Sequence, residues 1–119
     1  MAYNIEKDRN IVMYKISGFF TYQDMSALIQ HFDSMADQEP NAKLLVDFSK
    51  EKGLEEKTIK MAYERIEKGF PKKIKIALVF SPEGVYKYIT NIINLAMRYN
   101  SRAFDNIEAA KKWLLSEDS

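Results

Sequence analysis

The stretch Ile74-Lys75-Ile76-Ala77-Leu78-Val79-Phe80-Ser81-Pro82-Glu83 decides the fold. Ile74 to Phe80 is apolar and rich in β-branched residues, short enough for a strand and bounded by turn signals. Ser81-Pro82-Glu83 then reads as a helix start: a capping hydroxyl, a proline at the first helical position where no N–H is needed, and an acid in the first turn. The spacing predicts a helix from Glu83 to about Tyr99. A short strand, Arg102-Ala103-Phe104, follows, and Asp105 with Glu108 three residues on is read as the cap of a last helix ending near Leu115.

The same alternation runs upstream. Leu44-Leu45-Val46-Asp47-Phe48 is a second buried run, followed by a loop that Gly53 closes. After it Ile59, Ala62, Tyr63 and Ile66 recur at helical spacing. Glu56, Lys60, Glu64 and Lys68 alternate in sign on the other side, the pattern of a solvated helix face. Gly69 and Pro71 end that helix. Further back, Met25, Leu28, Ile29, Phe32 and Met35 line one helix face. Thr21 and Asp24 form a capping box at its start, and Pro40 marks its end. The chain opens with a strand around Tyr3 to Glu6, a turn at Lys7-Asp8-Arg9-Asn10, and a strand from Ile11 to Ile16 that ends at Gly18. The expected order is β-β-α-β-α-β-α-β-α. It describes one α/β domain over 1–119, a mixed, mostly parallel sheet of about five strands with four helices, the first strand antiparallel at or near an edge.

Composition narrows function by exclusion. The chain has 119 residues, 18 Lys+Arg against 17 Asp+Glu, one His and no Cys. A net charge of +1 excludes a broad phosphate-neutralising face, so nucleic acid is not an expected partner. With no Cys there is no disulfide, thiolate nucleophile or Cys-based zinc site. His31 alone makes no multi-histidine metal centre, and as a lone residue at a helix edge it is read as a packing or surface residue with a pH-sensitive contact as the alternative. No Gly-x-Ser-x-Gly, Walker loop or Gly-x-Gly-x-x-Gly is present. No run approaches the roughly 18 apolar residues that span a bilayer, and the first residues have no apolar core like a signal peptide's. The expectation is a cytoplasmic, non-catalytic protein with no cofactor or metal and no stable membrane insertion.

The helix from Glu83 to Tyr99 carries more apolar surface than one sheet face needs. At 100° per residue its apolar residues fill an arc of about 200°, against roughly 100° for a helix packed on one side. Neighbouring helices, a second subunit or an apolar ligand would each account for the surplus. Tyr86, Ile89, Ile93 and Met97 are the candidate interaction residues, for a protein partner or a homo-oligomer. A second candidate site lies where ligands of open α/β sheets bind, beyond the carboxyl ends of the strands. That end gathers Phe19, Phe20, Asp47, Ser49, Ser81 and Asp105, an aromatic surface with a few polar groups that suits a small apolar or lipid-like ligand. The structural alternative is that the two phenylalanines plug the sheet and the polar residues cap loops and helices. Asp47 interrupts an apolar run, so its carboxylate must find donors, most simply the N–H groups that follow it. An enzyme would need Asp47, Ser49 and Glu83 to converge. Lys72, Lys73 and Lys75, with Lys68 before them, read as a solvated strand edge.

Element order and several local patterns resemble the SpoIIAA-like group of the STAS superfamily. Asp47-Phe48-Ser49 is similar to the ending of that family's central strand, and Ile76-Ala77-Leu78-Val79 to its next strand. Arg102-Ala103-Phe104-Asp105, Glu108-Ala109-Ala110 and Trp113-Leu114 resemble the ending of many of its small members. The resemblance implies a regulatory or protein-interaction module. The family's anti-sigma-factor antagonists carry a phosphorylatable serine in a turn opening the second crossover helix. Between Lys50 and Thr58 this chain has no serine, and Thr58 is the only hydroxyl. The resemblance therefore implies a divergent branch without that switch, part of which resembles lipid-binding folds.

Overall fold

The structure is a computed structural model, and it describes residues 3–38, 42–54, 57, 58, 64, 75–87, 89, 90, 93 and 100–116. Five strands, β1 (Tyr3–Asp8), β2 (Ile11–Phe20), β3 (Lys43–Leu54), β4 (Ile76–Val79) and β5 (Ser101–Phe104), form one sheet in the order β1-β2-β3-β4-β5. β1 runs antiparallel to β2, and every other neighbouring pair is parallel. Three helices are described: α1 (Tyr22–Gln38), α2 (Pro82–Lys87) and α3 (Ile107–Leu115). Lys57, Thr58 and Glu64 are helical, but most of the expected helix between Glu56 and Lys68 lies outside the described residues. Ile89, Thr90 and Ile93 are helical beyond α2.

Side-chain alternation along the strands divides the core into two layers. On one face Val12, Tyr14, Ile16, Phe20, Leu44 and Ile76 pack with Leu28 and Phe32 of α1. On the other, Ile11, Met13, Leu45, Ala77 and Val79 pack with Ala110 and Leu114 of α3. Strands covered on both sides read as continuous apolar runs, which is why Ile11–Ile16 and Ile76–Val79 show no polar alternation.

The capping chemistry at α1 and α2 follows the sequence. Thr21 Oγ1 accepts from the Asp24 N–H at 3.2 Å, and Asp24 Oδ2 accepts from the Thr21 N–H at 3.0 Å. Ser81 Oγ accepts from the Gly84 N–H at 3.2 Å. At α3 the cap is not Asp105 but Asn106, whose extended backbone brings Oδ1 to 3.0 Å from the Ala109 N–H. An Asn and an Asp adjacent to each other offer the same short acceptor, and the entry angle of the chain selects between them.

Three expectations about the strands are corrected. β2 does not stop at Gly18 but passes through it at φ 73, a left-handed conformation that costs glycine little, and continues to Phe20. β3 does not give way to a loop after Phe48; it runs to Leu54, paired with β2 as far as Phe20↔Leu54. Along this extension β3 twice takes one residue more than β2, from Asp47↔Lys15 to Lys50↔Ser17 and from Glu51↔Gly18 to Gly53↔Phe19. Lys50, Glu51 and Lys52 look like loop in isolation; the long β2 edge supplies the pairing that makes them strand. Finally, the hairpin turn is only Arg9-Asn10, since Asp8 already pairs with Ile11. Lys111 of α3 reaches Asp8 at 3.3 Å, and this contact, ahead of Arg9, holds the Asp8 carboxyl below its usual range.

Candidate functional site

The six residues expected beyond the strand ends do not form one cluster. Phe20 is buried in the α1 layer, whereas its neighbour Phe19 lies on the opposite side of β2 and is 55% exposed. Phe19 covers Gly53 on the adjacent strand, and a Cβ added there would come within 2.8 Å of the ring. Asp47 and Ser49 are together: Asp47 Oδ1 accepts from the Ser49 N–H at 2.9 Å. Ser81 caps α2, and Asp105 is exposed in the bend before α3.

Asp47 is buried between two strands, paired in register with Lys15 on β2 and Val79 on β4. Lys15 Nζ meets Glu6 of β1 at 2.7 Å. The hydrogen bond to Glu6, reinforced by the charges of Glu6 and Asp47, holds the Lys15 ammonium above its usual range. The result is a row of alternating charge across β1, β2 and β3. Its chemistry is that of a satisfied structural network, because Asp47 is engaged by a backbone donor and neighboured by a paired cation. No group of three or more His, Asp or Glu side chains among the described residues is placed to hold a metal ion.

The helix that begins at Pro82 presents a different surface. Tyr86, Ile89 and Ile93 are 80%, 45% and 51% exposed. Successive residues turn by 100°, so these three fall within about 60° of one another and form one stripe. Met97 continues the series in sequence and lies outside the described residues.

Two features escaped the sequence. Lys75, expected on a solvated edge, is only 5% exposed. Its strand face is the one that α3 covers, and its ammonium donates to the Trp113 carbonyl at 2.9 Å and the Ser116 carbonyl at 3.0 Å. His31 pairs with the buried Tyr14, Nδ1 to hydroxyl at 2.8 Å, across the α1–β2 junction. Neither partnership leaves a spacing signal, since the partners are 38 and 17 residues apart.

A family model described as SpoIIAA-like matches residues 11–115. The chain belongs to the SpoIIAA-like family. Solved structures agree with this at the level of fold. A SpoIIAA-like protein of uncharacterised role from Shewanella loihica superposes with a TM-score of 0.69 at 19% identity, over 95% of this chain and 92% of that one. The anti-sigma factor antagonist SpoIIAA in its unphosphorylated form gives 0.64 at 14% identity, over 97% and 100%. The phosphorylated form of SpoIIAA, a Bacillus cell fate determinant, gives 0.65 at 13% identity, over 94% and 99%. No curated protein matches this SpoIIAA-like chain in sequence. Among its described residues, no helix is long and apolar enough to cross a membrane.

Proposed function

We propose that this SpoIIAA-like domain is a non-catalytic protein-interaction module that docks a partner protein on the outer face of the helix beginning at Pro82. The observation that carries the reading is the exposed stripe of Tyr86, Ile89 and Ile93. Two isoleucines and a tyrosine aligned in the open, on a helix already anchored by its cap, are a surface suited to burial by another macromolecule. Fold and family support a regulatory role, since a solved neighbour is an anti-sigma factor antagonist. A membrane surface is less well matched, because the sequence from Pro82 to Tyr99 holds two cations, Lys87 and Arg98, and interfacial helices are rich in Lys and Arg.

Regulation in this reading does not run through a phosphorylated hydroxyl at the second crossover. Thr58 is 1% exposed, and its Oγ1 finds no hydrogen-bond partner among the described residues. A hydroxyl enclosed in that way is not presented to a kinase.

Site-specific photocrosslinking in the producing cell tests the docking face. A photoreactive residue placed at Tyr86 or Ile93 should give one discrete adduct that Ile89→Glu removes, while the same probe at the exposed Lys112 of α3 should not give it. Unchanged thermal melting of each variant confirms the fold. Equal labelling from both helices, or no adduct at Tyr86 and Ile93, overturns the assignment.

A further inference from the structure

β1 is the outermost strand of the sheet, bonded to β2 on one side. Among the described residues nothing pairs with its other side. An open edge presents unpaired N–H and C=O groups to any strand of matching sequence, and charged residues on the edge decide which strands match. Tyr3, Ile5 and Lys7 share the α1 side of the sheet, opposite Ile16, Tyr14 and Val12. Asn4, Glu6 and Asp8 share the α3 side, opposite Lys15, Met13 and Ile11. Ile5 is 37% exposed, an apolar side chain at the rim next to two charged ones.

We propose that β1 pairs antiparallel with β1 of a second copy, about a twofold axis through Ile5, so that one sheet continues through both molecules. Register is what commits the edge to this occupant. A twofold pair keeps both faces of the sheet intact only when it is centred on a residue, because a one-residue slip exchanges the faces. Centred on Ile5, Ile5 meets Ile5 and Tyr3 meets Lys7 on one side, while Asn4 meets Glu6 on the other. The first is an apolar pair, the second places an ammonium beside an aromatic ring, and the third offers an amide N–H to a carboxylate. Centred on Glu6, the two Glu6 carboxylates would oppose each other. Centred on Lys7, like charges would meet at Lys7 with Lys7 and at Glu6 with Asp8. Centred on Asn4, only Tyr3, Asn4 and Ile5 of the described residues of β1 would pair with one another. Parallel pairing in register sets every charge beside its own copy.

The local structure agrees with the Ile5 register. Glu6 is held by Lys15 of β2 at 2.7 Å, on the same face of the sheet that Asn4 of the second copy would share. A carboxylate has acceptor capacity for both. In this register the Tyr3–Lys7 and Ile5–Ile5 pairs fall in one hydrogen-bonding class and the Asn4–Glu6 pairs in the other. Whichever backbone groups β1 turns outward therefore find counterparts.

Sedimentation equilibrium of the full chain up to about 1 mM is the test, a range that captures a weak dimer. The wild-type chain should show a monomer–dimer equilibrium, and the amides of Tyr3–Asp8 should exchange more slowly as concentration rises. Ile5→Lys should abolish dimerisation with unchanged thermal melting. Asn4→Lys, which sets a cation against Glu6, should tighten the dimer by roughly fivefold, and Asn4→Glu should loosen it by a similar factor. A chain that stays monomeric throughout overturns the proposal. So does a dimer that survives Ile5→Lys; if Tyr86→Glu removes that dimer, the contact belongs to the Pro82 helix instead.

Discussion

The Lys75 ammonium sits 2.9 Å from the Trp113 carbonyl and 4.8 Å from the centre of the Trp113 ring, so one side chain closes the end of α3 twice over. It also reaches the Ser116 carbonyl at 3.0 Å and the Ser116 hydroxyl at 3.2 Å. The last carbonyls of a helix have no partner within the helix, and a cation at that end completes them and complements the dipole. Lys75→Met keeps the buried stem and deletes the donors. It should cost about 1.5–3 kcal/mol, the range for hydrogen bonds to a charged group. Urea unfolding gives the magnitude, and faster amide exchange confined to Ile107–Leu115 would localise it.

Phe19 and Gly53 are register partners, and the ring occupies the space a side chain at 53 would need. The ring is more than half exposed, so it has somewhere to go. Gly53→Ala should therefore lower stability by no more than about 1 kcal/mol, the scale of one displaced rotamer. Phe19→Ala should cost less than Phe20→Ala. The second empties the α1 layer and falls in the range of about 3–5 kcal/mol for a fully buried phenylalanine. Thermal unfolding of the three variants gives this order; similar losses at 19 and 20 would contradict the opposite facing of the two rings.

What the sequence made legible follows from which interactions are local. The strands around Ile76–Val79 and Ile11–Ile16, the Thr21–Asp24 box, the Ser81-Pro82 start and the antiparallel first strand all leave marks within a few residues. The charged run Lys50–Lys52 misleads because its strand character comes from β2, brought alongside by the crossover through α1. Lys75 misleads for the same reason: alternation places it on a face but does not say that a helix end lies over that face. The exposed stripe at Tyr86, Ile89 and Ile93 was readable as surplus apolar arc. The expected clustering of Phe19 with Phe20 does not occur, because adjacent residues on a strand point to opposite faces.

Tyr14 and His31 predict an alkaline limit to stability. Burial, with the Asp33 charge adding to it, pushes the Tyr14 hydroxyl well above its ordinary value of 10. In the folded chain the phenol therefore keeps its proton at pH values where the unfolded chain has lost it. The stabilisation is complete below about pH 10 and declines as pH rises from there toward the folded value. Tyr14→Phe should lower stability by about 0.5–1.5 kcal/mol at pH 7, through loss of the bond to His31. Its stability should then fall less steeply than the wild type's above pH 10, narrowing the gap. Urea titrations at several pH values between 7 and 11 would show it, and parallel curves would rule the linkage out.

Arg9 holds φ 57 in the two-residue turn between β1 and β2. A left-handed backbone costs an ordinary side chain roughly 1 kcal/mol, and Asn, whose side chain can bond the adjacent backbone, tolerates it better. The contact Arg9 makes in return is a 3.4 Å approach to Asp8 with both side chains well solvated, and such pairs contribute little. Asp8 keeps its stronger partner, Lys111, when Arg9 is replaced. Arg9→Asn should therefore raise stability by about 0.5 kcal/mol. Arg9→Gly should change it less, because glycine relieves the strain but adds freedom to the unfolded chain. Arg9→Val should lower it by more than about 1 kcal/mol, a β-branched residue being the least suited to positive φ. The order Asn above Gly above Val in thermal midpoints tests the turn geometry; a loss with Asn matching that with Val would mean that the arginine side chain, and not its backbone, matters at this position.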